Sequence, residues 1–163
     1  MKKWWLYVSL SCFLLSACDT NLSKQALREA EEALLAQNYQ KAKGLIRLAS
    51  TESSNSEYEA LYDQCVALTD MMNHLAAGEF DESLLSWTDL NLIPTESTLI
   101  KEAAVEELRQ LLEDAINLAN ESLETGETAE TKLMIRHLLK RLGDMDVFEE
   151  EMMTLQQLVQ EMD

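Results

Sequence analysis

The sequence predicts an all-α fold, an array of antiparallel helix hairpins with about seven helices, on three observations. Only 4 glycines and 1 proline occur in 163 residues, where average usage of about 7% and 5% would place about 20, so strand-and-turn folds lack the breakers they need. Apolar residues recur every three or four positions along most of the chain. The connections between these periodic stretches are short, which sets consecutive helices antiparallel.

The elements follow in order. Leu27, Ala30, Ala33 and Leu34 mark a helix over about Ser23 to Gln37, with Ser23 a possible cap. A second helix, about Tyr39 to Ser50, carries Ala42, Leu45, Ile46 and Ala49 on one face, and the polar run Thr51 to Ser56 closes the pair. The third, about Glu57 to Ala77, places Tyr58, Leu61, Tyr62, Cys65, Leu68, Met72 and Leu75 at helical spacing before Gly78 ends it. Phe80 to Leu90 forms a short fourth helix with Leu84 and Trp87, and Pro94 stops it. Thr95 or Ser97 caps a long fifth helix with a stripe of Ile100, Ala104, Leu108, Leu111, Ala115, Ala119 and Leu123, widened by Leu112 and Ile116 and ended at Gly126. Leu133, Met134, Leu138, Leu139 and Leu142 define the sixth, bounded by Gly143. Phe148, Met152, Leu155, Val159 and Met162 define the seventh.

The first residues carry a different signal. Lys2 and Lys3 precede an uncharged apolar run, Trp4 to Leu15, which is a secretory leader layout. Its 12 residues would cover only about 18 Å of a hydrocarbon core about 30 Å thick, so a permanent span is disfavoured. Leu15-Ser16-Ala17-Cys18 resembles the lipobox of bacterial lipoproteins. That resemblance implies a diacylglyceryl thioether on Cys18 and cleavage after Ala17, with small residues admitting the backbone to a peptidase groove and the thiol forming the bond. Two acyl chains anchor stably where one does not. The expected division is a signal peptide over 1–17, a lipidated cysteine and short tether over 18–23, and a helical domain over 24–163. Apart from this covalent lipid, no cofactor is expected. The mature chain would keep 11 basic and 30 acidic residues, net −19, and Cys65 as its one thiol, which leaves no intramolecular disulfide.

Three segments align without gaps: Ala36 to Ala49, Ala77 to Leu90 and Thr125 to Leu138. Each opens the second helix of a hairpin with a turn residue (Asn38, Gly78 or Gly126 nearby), then Tyr39, Phe80 or Thr128, then a small Ala42, Ser83 or Thr131. An aromatic plugs the corner and a small residue lets two backbones approach. The pattern resembles the tetratricopeptide (TPR) repeat. Tyr39, Ala42, Ile46 and Ala49 match well, Phe80, Ser83, Trp87 and Leu90 moderately, and Thr128, Thr131, Ile135 and Leu138 poorly. Tyr39 to Phe80 is 41 residues and Phe80 to Thr128 is 48, both longer than the standard repeat of about 34. The stretch from Leu68 to Leu112 also resembles a type found among lipoproteins of low-GC Gram-positive bacteria, through Gly78-Glu79-Phe80-Asp81-Glu82-Ser83-Leu84 and Leu99-Ile100-Lys101-Glu102-Ala103. This implies a surface scaffold without an attached activity.

Motifs of chemistry are missing from the sequence: it has no HExxH, CxxC, GxSxG, phosphate loop or calcium loop. His74 and His137 lie 63 residues apart with no cysteine pair nearby. No catalytic or metal-binding residue is therefore assigned, and the expectation is a protein that is not an enzyme. Cys65 falls on an apolar stripe, as an inert buried thiol would. Met71-Met72 and Met152-Met153 fit core filling, Glu149 to Glu151 fit a solvated helix N-terminus, and Trp87 is expected to pack between hairpins.

A formal net charge of −17 argues against nucleic acid, which needs a basic footprint. The charge is uneven. Residues 19–50 hold 4 acids and 5 bases, residues 51–131 hold 19 and 2, and residues 132–163 hold 7 and 4. Lys24, Arg28, Lys41, Lys43 and Arg47 would lie beside the lipid, where an anionic leaflet attracts them, with the acidic surface turned outward. The expected protein sits on the outer, extracytoplasmic face of the cell membrane, held by its lipid, and serves as an interaction scaffold for a protein or peptide partner, preferably basic. Hairpin geometry makes Glu31, Met72 and Asn120 candidate groove residues. The competing expectation is an accessory or solute-binding lipoprotein of a transporter or envelope-assembly complex. The sequence identifies no small-molecule substrate.

Overall fold

A computed structural model describes residues 21–53, 55–143 and 145–162. Among them every regular element is helical, in the order α1 (residues 21–35), α2 (Tyr39–Thr51), α3 (Ser56–Ala77), α4 (Phe80–Leu92), α5 (Leu99–Thr125), α6 (Ala129–Leu142), a 3-10 turn (Asp146–Phe148) and α7 (Glu149–Glu161). The all-α prediction therefore stands. The leader, with Leu15, Ser16, Ala17 and Cys18, lies outside the described residues. By internal contacts the chain divides within α5 into two units, Met1–Ala104 and Val105–Asp163.

In the first unit, α1 buries Ala26, Ala30, Ala33 and Leu34. Ser23 lies inside α1 and is buried, not at a cap. Asn38 caps α2, its side chain accepting from the Lys41 amide at 3.2 Å, and α2 buries Ala42, Ile46 and Ala49 of its predicted face, while Leu45 is only half-buried. Helix α3 packs against both α2 and α4, so one narrow stripe is not enough. It buries Gln64, Ala67, Thr69 and Met71 beside Leu61, Cys65 and Leu68, while Tyr58, Tyr62, Met72 and Leu75 are only half-buried. Asn55 caps it through the Glu57 amide at 3.0 Å.

Helix α5 starts at Leu99, after both residues expected to cap it. Thr95 is occupied in the bend, its hydroxyl 3.1 Å from Gln64 Oε1 and 2.9 Å from the Ser97 carbonyl. Ser97 Oγ accepts from the Leu99 amide at 3.4 Å. The α5 stripe is buried at Ile100, Ala104, Leu108, Leu112, Ala115 and Ala119, with Leu111, Ile116 and Leu123 half-buried at its edges.

In the second unit, α6 corrects one expectation. Leu133 is 68% exposed and Met134 37%, so they do not belong to the core stripe. The buried residues are Thr131, Ile135, Leu138 and Leu142, the register of the internal repeat. A purely hydrophobic count rotates this helix wrongly because adjacent Leu133 and Met134 lie outside the face that is buried, while α6 packs against α7. Gly143 closes α6. A Cβ there would collide with the Leu139 carbonyl oxygen, so the position requires glycine. Phe148, fully buried, ends the 3-10 turn, and α7 buries Met152, Leu155, Leu158 and Val159.

Candidate interaction surface

The three aligned segments share one backbone feature at their corners. Among the described residues, positive φ occurs at Gln37 (55°), Gly78 (74°) and Gly126 (77°), and these three occupy a single column of the alignment. The turn residue of the first segment is thus Gln37, with Asn38 serving as the cap. A left-handed residue stops a helix and reverses the chain. At the first corner the Gln37 amide donates to the Leu34 carbonyl at 2.9 Å and the Asn38 amide to Ala33 at 2.8 Å. At the second, Gly78 donates to Leu75 at 3.0 Å and Glu79 to His74 at 2.8 Å. Both have the paired bonds of a Schellman turn. At the third corner Gly126 donates to Ser122 at 2.9 Å, the simpler left-handed closure. There the next helix starts one residue later, at Ala129.

After the corner, the small-residue column is buried in every case: Ala42 and Ser83 at 0% exposure and Thr131 at 7%. Tyr39 and Phe80 are half-buried beside them, as corner plugs would be. The Tyr39 carbonyl also lies 3.9 Å from Cys65 Sγ. Thr131 Oγ1 and Ser122 Oγ are 2.6 Å apart, whereas the buried hydroxyl of Ser83 has no partner among the described residues. In the next column Ile46 and Ile135 are buried and Trp87 is half-buried, so its ring is not enclosed.

The candidate groove residues fall in different places. Glu31 is exposed on α1 and lines a small apolar cleft of about 70 Å³ with Leu27, Ala30, Leu34, Ile46, Leu61, Ser97, Leu99 and Ile100. Met72 is half-buried on α3 in the same unit and Asn120 is exposed on α5 in the other. Neither lines that cleft.

Cys65 is fully buried, and burial pushes its thiol up to about 12, with Lys43 pulling weakly the other way. His74 Nδ1 lies 2.7 Å from Glu79 Oε2, joining the last turn of α3 to the cap position of α4. His137 is exposed on α6. Among the described residues no group of His, Cys, Asp and Glu is placed to hold a metal ion, and no helix is long and apolar enough to cross a membrane. Of the acidic run at α7, Glu151 accepts from Arg109 Nε at 2.9 Å. Arg109 also reaches Glu106 at 3.1 Å, and the Glu151 bond foremost holds its guanidinium above its ordinary range.

Gln64 is the residue that periodicity does not reveal. Fully buried on α3, it donates through Nε2 to the carbonyls of Ile93 (2.9 Å) and Leu90 (3.5 Å). The end of α4 leaves carbonyls without intrahelical partners, and Gln64 meets them from the neighbouring helix while its Oε1 faces Thr95. In the sequence Gln64 shows as a polar residue inside the apolar row of Leu61, Cys65 and Leu68.

No protein-family profile, curated protein or solved structure matches this chain.

Proposed function

We propose that this protein is a lipid-anchored scaffold on the extracytoplasmic face of the cell membrane, built from degenerate TPR-like hairpins, that binds a protein or peptide partner and carries out no chemistry itself. The observation that carries the reading is the single column of left-handed residues, Gln37, Gly78 and Gly126, each followed by a buried small residue at Ala42, Ser83 or Thr131. Repetition of one corner is the mark of a hairpin array, and such arrays present grooves for extended or helical segments. The leader, read as a lipobox ending in Cys18, supplies the anchor. The cleft beside Glu31 favours a partner side chain over a free solute, because about 70 Å³ is small beside the roughly 300 to 1,000 Å³ of small-molecule pockets. The carboxylate at its rim favours a basic partner segment.

Photo-crosslinking in intact cells tests this. A photoreactive residue in place of exposed Glu31 should give one discrete protein adduct, and the same probe at exposed Asn91 should not. Loss of that selectivity, or ligand-dependent Trp87 fluorescence with a small solute and no adduct, would favour the solute-binding alternative.

A further inference from the structure

Helix α2 differs from every other helix described in holding no acidic residue, while Lys41, Lys43 and Arg47 give it three cations. Gln40, Lys41, Gly44, Arg47, Leu48 and Thr51 are all exposed. At 3.6 residues per turn they form one outward stripe along the helix, opposite buried Ala42, Ile46 and Ala49. The stripe joins positive charge to an apolar side chain, Leu48, at 38% exposure. Arg47 lies 6.0 Å over the Tyr62 ring, which gives its guanidinium a fixed backing.

Gly44 adds an independent observation. Glycine in a helix interior is unfavourable relative to alanine, and a Cβ at Gly44 would meet nothing within 4 Å. The fold therefore does not require glycine there. A glycine between Lys41 and Leu48 on an open stripe leaves a notch through which an outside surface can approach the helix backbone.

We infer that the α2 stripe of Lys41, Gly44, Arg47 and Leu48 is the face that lies on the anionic lipid leaflet. The inference rests on the anchoring proposed above. Tether length and charge both select a leaflet as the occupant. From Cys18 to Asn21, where α1 has already begun, three residue steps reach at most about 10 Å, so an anchored protein keeps the start of α1 close to lipid. The reversal at Gln37 returns α2 alongside α1, where Ile46 lines one cleft with Leu27, Ala30 and Leu34. Charge selects the same face: residues 51–131 hold 19 acids and 2 bases, a composition that anionic headgroups repel, whereas each cation on α2 favours contact about fivefold in population.

The test uses protein extracted from membranes of the expressing cells, with Leu48→Cys carrying an environment-sensitive fluorophore while Cys65 stays shielded in the core. The protein is reconstituted into vesicles of phosphatidylcholine alone or mixed with phosphatidylglycerol, both containing a nitroxide-headgroup lipid. The expected result is at least about threefold stronger quenching on the anionic vesicles. It should fall to the phosphatidylcholine level when salt rises from about 0.1 M to about 1 M, which shortens screening from about 10 Å to about 3 Å. Gly44→Glu should abolish the difference at low salt, and its open surroundings let it fold, which circular dichroism checks. Equal quenching on both vesicles, with the protein still pelleting with them, overturns the inference and leaves the anchor intact. Failure to pellet, with an unmodified Cys18 by mass, overturns the anchor and this inference together. Concentration-dependent burial of position 48 without lipid would assign the stripe to a second copy of the chain and overturn the leaflet.

Discussion

Ser122 and Thr131 meet hydroxyl to hydroxyl at 2.6 Å across the corner between α5 and α6, and both are buried. At the same nine-residue spacing the first corner has Ala33 and Ala42, both buried, and the second has half-buried His74 and buried Ser83. Thr131→Val would strand the Ser122 hydroxyl and cost about 1 to 3 kcal/mol. Adding Ser122→Ala should recover part of that, read as a coupling energy from urea unfolding of the four variants. Ser83 provides the opposite case. Its hydroxyl is buried without a partner among the described residues, so Ser83→Ala, matching Ala42, should stabilise by about 1 kcal/mol.

The left-handed column makes a second set of substitutions predictable by position. Gln37 pays for a positive φ of 55° that Gly78 and Gly126 adopt freely. Gln37→Gly should therefore stabilise, by at most about 1 kcal/mol because glycine also loosens the unfolded chain. Gly78→Ala and Gly126→Ala should each destabilise by about 1 kcal/mol or more. No Cβ collision exists at either glycine, so the loss would come from backbone strain alone. Thermal unfolding of the three variants checks the signs. A stabilising Gly78→Ala would contradict the equivalence of the corners.

Cys65 sets a pH limit on the first unit. Its thiol is raised from 9.0 to about 12 by burial. Below pH 9 both folded and unfolded chains keep the thiol neutral, and its contribution is fully present. As pH rises from about 9 towards about 12, the unfolded chain ionises first and stability falls by about 1.4 kcal/mol per pH unit from this group. Cys65→Ala should remove that part of the slope, as seen in urea midpoints measured from pH 8 to pH 11. The native thiol should also react with a maleimide only as fast as the unit opens.

Much of this architecture could be read from residue order. The helix starts at Tyr39 and Phe80, the stop at Gly78 and most of the buried rows of α2 and α7 follow from spacing and turn chemistry, although Leu45 and Met162 are only half-buried and Leu158 joins the α7 row. The failures have physical reasons. Leu133 and Met134 are apolar yet exposed, because the α5–α6 corner fixes the rotation of α6 through Thr131. Met71 is buried in place of Met72, because α3 has neighbours on two sides. Gln64 satisfies carbonyls 26 and 29 residues away, a pairing that exists only once the hairpin has closed. Of the candidate groove residues, Glu31 reaches a cleft, and geometry argued from one helix at a time could not have selected it over Met72.

Tethering at Cys18 underlies both the proposed scaffold and its contact with lipid, and the mass of the amino-terminal peptide, from protein extracted out of the membrane fraction, tests it most directly. The predicted result is a chain that begins at Cys18 with a diacylglyceryl group on sulfur, and a Cys18→Ala variant that retains residues 1–17 and carries no lipid. A membrane-extracted chain with residues 1–17 still present and an unmodified Cys18 thiol would contradict it.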